Sequence, residues 1–208
     1  MSGYFDVRFF GEVFVTLFVI MDPPGTIPLF LSLTGGRTPR DRRRLAGQAV
    51  LVALTVISAF ALFGQSILTY LGITVPALQA AGGLLLLLVA LELLTGHADE
   101  PAVVSDVNVA LVPLGTPLLA GPGAIVASIV FVRRAHGIPD ATALAAGILA
   151  VHLVLWLTMR YSVLIIRLIR DSGVTLVTRI SGLLLSAIAV QLVADAVRAF
   201  IQAGVGTP

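Results

Sequence analysis

Long apolar runs, separated by short polar connections, dominate the chain from one end to the other. A helix needs roughly 20 apolar residues to cross a hydrocarbon core of about 30 Å, and the runs reach that length. The pattern therefore predicts an all-α fold, a polytopic membrane helix bundle with six transmembrane spans. These spans cover approximately residues 8–34, 46–70, 76–95, 107–131, 141–160 and 176–203.

Composition supports a membrane protein over a soluble one. Of the 208 residues, 58% are hydrophobic and 12% are charged, whereas soluble domains carry about 25% charged residues. The absence of cysteine excludes thiol catalysis, disulfides and thiolate metal sites. We therefore expect the lipid bilayer as a partner, with no cofactor and no metal. The cluster "RTPRDRRR" (37–44) is better explained as a membrane-flanking anchor than as a nucleic-acid surface.

The connections are short and carry helix-start chemistry, such as Thr38-Pro39. We see no soluble domain or long linker, so residues 1–208 are predicted to form a single integral membrane domain. Arginines concentrate in the loops that follow spans 1 and 5, which predicts that those loops are cytoplasmic and that both termini are extracytoplasmic. The residues concerned are Arg37, Arg40, Arg42, Arg43, Arg44, Arg167, Arg170 and Arg179.

Span 1 is interrupted by "DPPGTIP" at residues 22–28. Proline removes a backbone hydrogen bond, and in hydrocarbon the freed groups must face protein or a wet cavity. Asp22-Pro23 has the pattern of a helix N-cap followed by proline at the first helical position. The sequence therefore predicts that the helix restarts there with its amide donors exposed.

A similar break occurs in span 4, where "AGPGAI" aligns with "DPPGTI" at an offset of 98. Further on, "GLLLLLVALELL" from Gly83 aligns with "GLLLSAIAVQLV" from Gly182 at an offset of 99. The chain is thus predicted to contain two repeats, about 1–100 and 101–208. Three spans in each make the repeats inverted, with spans 1 and 4 broken, an arrangement typical of secondary transporters.

The two breaks supply the candidate substrate-binding residues. A restarted helix presents free amides and partial positive charge to a carboxylate, whereas a half-helix end with Asp22 suits an ammonium group or a proton. A simpler interpretation is that Asp22 only caps a helix, the glycines only permit packing, and the threonines bond their own backbone. The candidates are Asp22, Pro24, Gly25 and Thr26 in the first break and Thr116, Gly121, Pro122 and Gly123 in the second.

Proton coupling has three candidates, Asp22, Glu92 and His152. Glu92 and its repeat counterpart Gln191 either face an inner cavity or lie near the membrane surface. His152, midway along span 5, is either a proton relay or a hydrogen-bonded packing residue, the more usual role.

These motifs resemble the MarC family of integral membrane proteins, which includes the SnatA-like neutral amino acid transporters. The resemblance rests on "DPPGTIPLFLSLT", the arginine-rich loop after it and the later "TPLLAGPGAI". It implies a prokaryotic inner-membrane protein that moves small neutral amino acids such as glycine and alanine, with proton coupling and homo-oligomer formation left open.

Other functions fit the sequence less well. Asp22 and Asp195 could form an aspartyl dyad, but the motifs of intramembrane proteases are missing, so we do not expect an enzyme. A channel lacks a ring-forming selectivity sequence. A non-transporting membrane scaffold is the main alternative, although it would not require polar residues at two matched helix breaks.

Overall fold

The computed structural model describes residues 5–95 and 119–205, and every regular element within these ranges is an α-helix. The predicted all-α class is therefore confirmed. The helices are α1 (Val7–Met21), α2 (Thr26–Leu33), α3 (Pro39–Tyr70), α4 (Val75–Thr95), α5 (Pro122–Arg134), α6 (Ile138–Arg160) and α7 (Ser162–Val205).

Four helical stretches are long and apolar enough to cross a membrane: Pro39–Tyr70, Val75–Thr95, Ile138–Arg160 and Thr175–Ala203. They correspond to the predicted spans 2, 3, 5 and 6. Span 1 is divided between α1, with 15 residues, and α2, with 8. Even α1 is only about 22 Å long, too short to cross alone. Helix α5 is the second half of span 4, and the first half lies outside the described residues.

Local sequence explains where the helices begin. The Thr38 hydroxyl accepts a hydrogen bond from the Asp41 amide at 3.2 Å, and Pro39 occupies the first turn of α3. This is the helix start that the sequence predicts. Helices α5 and α6 also have a proline in the first turn, Pro122 and Pro139, but they begin after glycines and have no side-chain cap.

The predicted loop between spans 5 and 6 is helical instead. Only Tyr161 separates α6 from α7, and α7 then continues from Ser162 through the arginine-bearing segment to Val205. The segment between 162 and 175 contains no proline and is rich in leucine, isoleucine and arginine, which favour helix. Its one glycine, Gly173, is not enough to end the helix.

The buried apolar residues form two clusters. The larger joins α1, α3, α5 and α6, with fully buried side chains such as Val13, Leu17, Ile57 and Leu155. The smaller consists of Val19, Leu86, Ala90, Leu185 and Ala189 and lies where α4 packs along α7. We call this second group the central cluster.

Helices α4 and α7 approach closely through a reciprocal pair of glycines. A Cβ added at Gly83 would lie 2.8 Å from the carbonyl oxygen of Ala189, and one added at Gly182 would lie 3.2 Å from that of Ala90. The Gly83 site also contacts Leu192 and Val193, whereas the Gly182 site contacts Leu93 and Leu94. Each residue in one set lies 99 positions from its partner in the other. The two helices therefore present equivalent surfaces to each other.

Candidate functional site

Helix α1 ends at Asp22, whose backbone adopts a left-handed conformation with φ 40°. Its amide donates to the Phe18 carbonyl at 3.1 Å and closes the last turn. Pro23 and Pro24 have no N–H, so the carbonyls of Val19 and Ile20 lose the donors that a continuing helix would supply. The end of α1 is therefore rich in hydrogen-bond acceptors.

The predicted role of Asp22 as the N-cap of a helix restarting at Pro23 is wrong. Helix α2 begins at Thr26, whose amide donates to the Asp22 carbonyl at 3.1 Å, and the Ile27 amide donates to the Pro24 carbonyl at 3.1 Å. The Thr26 hydroxyl donates to the Pro23 carbonyl at 2.7 Å, the backbone bond that was its simpler interpretation. These amides are consequently not free for a ligand.

The Asp22 carboxyl group is buried without a hydrogen-bond partner. The residue is 7% exposed, and neither carboxyl oxygen has a partner in the structure. The Gly25 amide and the Ser181 hydroxyl lie beside it, but neither completes a hydrogen bond with it. A Cβ at Gly25 would overlap the carboxyl group, so a larger residue there would require the Asp22 side chain to move. Because buried polar groups are normally paired, this carboxyl is available to a proton, a cation or an ammonium group.

The second break has the opposite polarity. Gly121 precedes α5, Pro122 occupies its first position, and the Ala124 amide donates to the Gly121 carbonyl at 3.0 Å. The amide of Gly123 belongs to the group at a helix N-terminus that has no intrahelical partner. This end of α5 therefore carries donor groups and partial positive charge. Thr116, the remaining candidate of this break, lies outside the described residues.

The central cluster connects the two breaks. A Cβ at Gly123 would overlap the side chain of Leu86, so this leucine lies directly against the start of α5. Val19, in the last turn of α1, belongs to the same cluster as Leu86 and Leu185. The cluster thus contacts the second break through Leu86 and reaches the first through Val19.

A cavity of about 450 Å³ opens between α1, α4, α5 and α7. It lies on the side of the bundle where α1 begins and α7 ends, which we call the terminal side. The opposite side carries the arginine-rich segment 37–44, and we call it the loop side. The apolar lining residues Ile20, Ile188 and Leu192 pack against the central cluster. Its polar lining residues are Thr16, Gln79, Arg134, Gln191 and Asp195.

The polar groups of the cavity are held in place by their neighbours. The Gln191 side-chain amide donates to Asp195 at 2.8 Å, and Arg198 lies 3.7 Å from the same carboxylate. Arg134 pairs with Glu12 at 2.7 Å and stacks over the rings of Phe9 and Phe131. Sequence reasoning did not single out Thr16 or Arg134. Thr16 lies six residues before Asp22 and Arg134 lies eleven residues after Gly123, so neither belongs to a break motif.

None of the three proton-coupling candidates lines this cavity, and none of the described residues at the two breaks that were predicted to bind substrate lines it either. His152 is buried on α6, where its Nδ1–H donates to the Ile148 carbonyl at 2.7 Å and its Nε2 has no partner. Glu92 is exposed on α4, one turn before the helix ends. Its repeat counterpart, Gln191, is the member of the pair that faces the cavity.

Comparisons with known proteins match nearly the whole chain. The family described as "MarC family integral membrane protein" matches residues 7–201. The chain is 36% identical over 200 residues to the UPF0056 membrane protein MJ1677 of Methanocaldococcus jannaschii, covering 93% of this chain and 98% of the relative. It is 30% identical over 210 residues to the UPF0056 membrane protein YhcE of Escherichia coli, covering 95% and 96%. It is 32% identical over 195 residues to the UPF0056 membrane protein YvbG of Bacillus subtilis, covering 89% and 92%.

No solved structure gives a significant match to the chain. The chain belongs to the MarC family of integral membrane proteins.

Proposed function

We propose that this protein is a secondary transporter of small neutral amino acids, of the size of glycine and alanine, that couples transport to protons. The observation that carries the proposal is the buried carboxyl group of Asp22, which has no hydrogen-bond partner at an interrupted membrane helix. An ionisable group inside a membrane protein is costly and usually functional. The chain is not an enzyme in this proposal, and its bilayer is the prokaryotic inner membrane.

The opposite polarity of the two breaks suits a zwitterion. The acceptor-rich end of α1, together with Asp22, favours an ammonium group or a proton. The donor-rich start of α5 at Gly121–Gly123 favours a carboxylate. An amino acid carries both groups on one carbon. Leu86 and Val19 lie between the breaks.

The reciprocal contacts of α4 and α7 support the inverted-repeat arrangement. The six spans of this proposal follow from the lengths of the apolar runs, and the extracytoplasmic termini follow from the arginine-rich segment. The two proposed repeats make the same contact: Gly83 lies against Ala189, and Gly182 lies against Ala90. Contacts of this kind arise when a two-fold axis relates the partners. In transporters with inverted repeats, the two halves exchange conformations to open the site alternately to each side. The terminal-side cavity, whose apolar lining packs against the central cluster, fits one of these two states.

Transport by purified protein in liposomes tests the proposal. Vesicles loaded with unlabelled alanine should take up labelled alanine and glycine, and Asp22→Asn should reduce uptake at least tenfold. Asp41→Asn is the matched control because Asp41 is an exposed carboxylate in the first turn of α3 and should retain uptake. The ratio of the uptake rates of the two variants separates the loss of Asp22 itself from any general effect of losing a carboxylate.

Two results would contradict the proposal in different ways. Wild-type uptake by a folded Asp22→Asn variant would show that the site is elsewhere. Failure of every neutral amino acid to move, with or without a proton gradient, would remove the substrate class and favour a non-transporting scaffold. Uptake that does not respond to a proton gradient would contradict only the proposed coupling of transport to protons.

A further inference from the structure

The terminal-side cavity contains polar groups that the proposed transport mechanism does not use. It is bounded by α1, α4, α5 and α7, and its volume of about 450 Å³ lies within the range of roughly 300–1,000 Å³ that is usual for sites of small organic ligands. No described residue of the two breaks lines it. A ligand in this cavity would therefore occupy a place distinct from Asp22 and from the start of α5.

Asp195, on α7, supplies a hydrogen-bond acceptor to the cavity. The Gln191 side-chain amide donates to its Oδ1 at 2.8 Å, and Nη1 of Arg198 lies 3.7 Å from the same oxygen. Both contacts leave Oδ2 able to accept a hydrogen bond from a ligand. The Arg198 side chain is 73% exposed, so water screens its charge. Asp195 is therefore suited to an ammonium group, and Gln191 fixes its orientation.

Arg134, on α5, supplies donors to the same cavity. Its Nη2 donates to Glu12 at 2.7 Å, and its guanidinium group lies over the rings of Phe9 and Phe131. A guanidinium group has five N–H donors in one plane, so Nη1 and Nε remain able to bind a carboxylate. Arg8 also lies 3.4 Å from Glu12, so two cations share one carboxylate here. This end of the cavity therefore keeps an excess of positive charge.

The remainder of the lining is mostly apolar. Phe131 of α5 and Ile188 and Leu192 of α7 contribute to it, and they offer a surface that an apolar side chain would cover. Gln79 of α4 and Thr16 of α1 add uncharged hydrogen-bonding groups. The cavity thus combines a carboxylate, a guanidinium group and an apolar wall.

We infer that the terminal-side cavity binds a zwitterionic α-amino acid with an apolar side chain, its ammonium group on Asp195 and its carboxylate on Arg134. A solute with both charges pairs with both residues, whereas a simple amine or a simple carboxylic acid leaves one of them without a partner. The inference goes beyond the proposed function, because it requires no transport and uses neither break.

Equilibrium binding of labelled leucine to the purified protein in lipid nanodiscs tests the inference. Two competitors keep the branched apolar part of leucine and each lacks one charged group. These are 3-methylbutylamine, which has no carboxylate, and 4-methylpentanoate, which has no ammonium group. Each should bind about tenfold more weakly than leucine, because each loses a hydrogen bond between charged groups. Glycine, which lacks the apolar side chain, should also bind about tenfold more weakly.

Two variants should show a crossed pattern. Asp195→Asn should weaken leucine binding about tenfold without weakening the binding of 4-methylpentanoate, which has no ammonium group to lose. Arg134→Gln should weaken leucine binding to a similar extent without weakening that of 3-methylbutylamine. A general loss of folding would weaken all three ligands together. Arg133→Gln is the matched control, because Arg133 neighbours Arg134 but donates to Gln65 on α3 at 3.2 Å, and leucine binding should be unchanged.

Three results would overturn the inference. One is the absence of saturable leucine binding to the folded wild-type protein. Another is an affinity for glycine or for either analogue that equals the affinity for leucine. The third is loss of leucine binding in Asp22→Asn while Arg134→Gln retains it, which would place the bound amino acid at the breaks.

The binding result and the transport result can be separated. Uptake of alanine without leucine binding would retain the proposed transporter and remove the ligand from the terminal-side cavity. Leucine binding with the crossed pattern, but without uptake of any amino acid, would retain the binding site and contradict the proposed function.

Discussion

The close approach of α4 and α7 predicts a specific difference between two glycine-to-alanine substitutions. At Gly83 a new Cβ would lie 2.8 Å from the Ala189 carbonyl oxygen and 2.8 Å from a Val193 methyl group. Ordinary van der Waals contact begins near 3.4 Å, so the atoms must separate by about 0.6 Å. The carbonyl belongs to a helix backbone and cannot rotate away. Overpacking of this kind costs about 1–3 kcal/mol.

Gly11 is the matched control because it is also helical but a Cβ there would meet nothing within 4 Å. Both substitutions gain the same helix propensity, about 1 kcal/mol for glycine to alanine. The gain cancels in the comparison. Gly11→Ala should therefore be more stable than Gly83→Ala by about 1–3 kcal/mol, with Gly182→Ala between them because its nearest contacts are 3.1–3.2 Å.

Denaturant unfolding of the three purified variants in the same detergent measures this order. The free energy of unfolding should fall from Gly11→Ala to Gly182→Ala to Gly83→Ala. Equal stability of Gly83→Ala and Gly11→Ala would refute the reasoning, because it would mean that α4 and α7 are farther apart than the structure places them. A Gly182→Ala variant with the stability of Gly11→Ala would contradict the reciprocal contact alone.

Two further predictions concern the core and the orientation. Ile57 is fully buried in the larger cluster, so Ile57→Ala should lower the free energy of unfolding by about 2–5 kcal/mol. Leu62→Ala, on the exposed face of the same helix, should change it by less than about 0.5 kcal/mol. Equal losses of stability in the two variants would contradict the assigned core. An alkaline phosphatase domain fused after residue 208 should be active in intact cells, because the arginine-rich segment predicts an extracytoplasmic C-terminus. A fusion that is expressed but inactive would show that the orientation is the opposite one.

The sequence determined the class of the fold because hydrophobic length alone decides whether a helix can cross a bilayer. The four uninterrupted spans occur where the apolar runs predict them, and span 1 breaks where proline removes the backbone donors. The motifs around Asp22 and Gly121–Gly123 also identified the family. Each of these features depends on residues that are close together in the chain.

The detail of the first break already needed the structure. The sequence pattern favoured Asp22 as the start of a helix, but two consecutive prolines and Gly25 displace the start to Thr26. Asp22 instead closes α1 in a left-handed conformation and places its carboxyl group over Gly25. Alternative caps of similar local energy cannot be separated by pattern alone, because the surrounding helices decide which one is buried.

Only the tertiary structure decided which polar residues share a cavity. Thr16, Gln79, Arg134 and Gln191 come from four different helices and lie together because of how those helices are rotated and how closely they approach. When a helix is hydrophobic on every side, its sequence does not indicate which face points into the bundle, so its rotation about its own axis is not determined by the sequence pattern. The approach is set by contacts such as Gly83 against Ala189, which exist only when both helices are in place. Sequence therefore determined the four uninterrupted spans and the break at Asp22, whereas packing determined the cavity and left Gln191, but not Glu92, facing it.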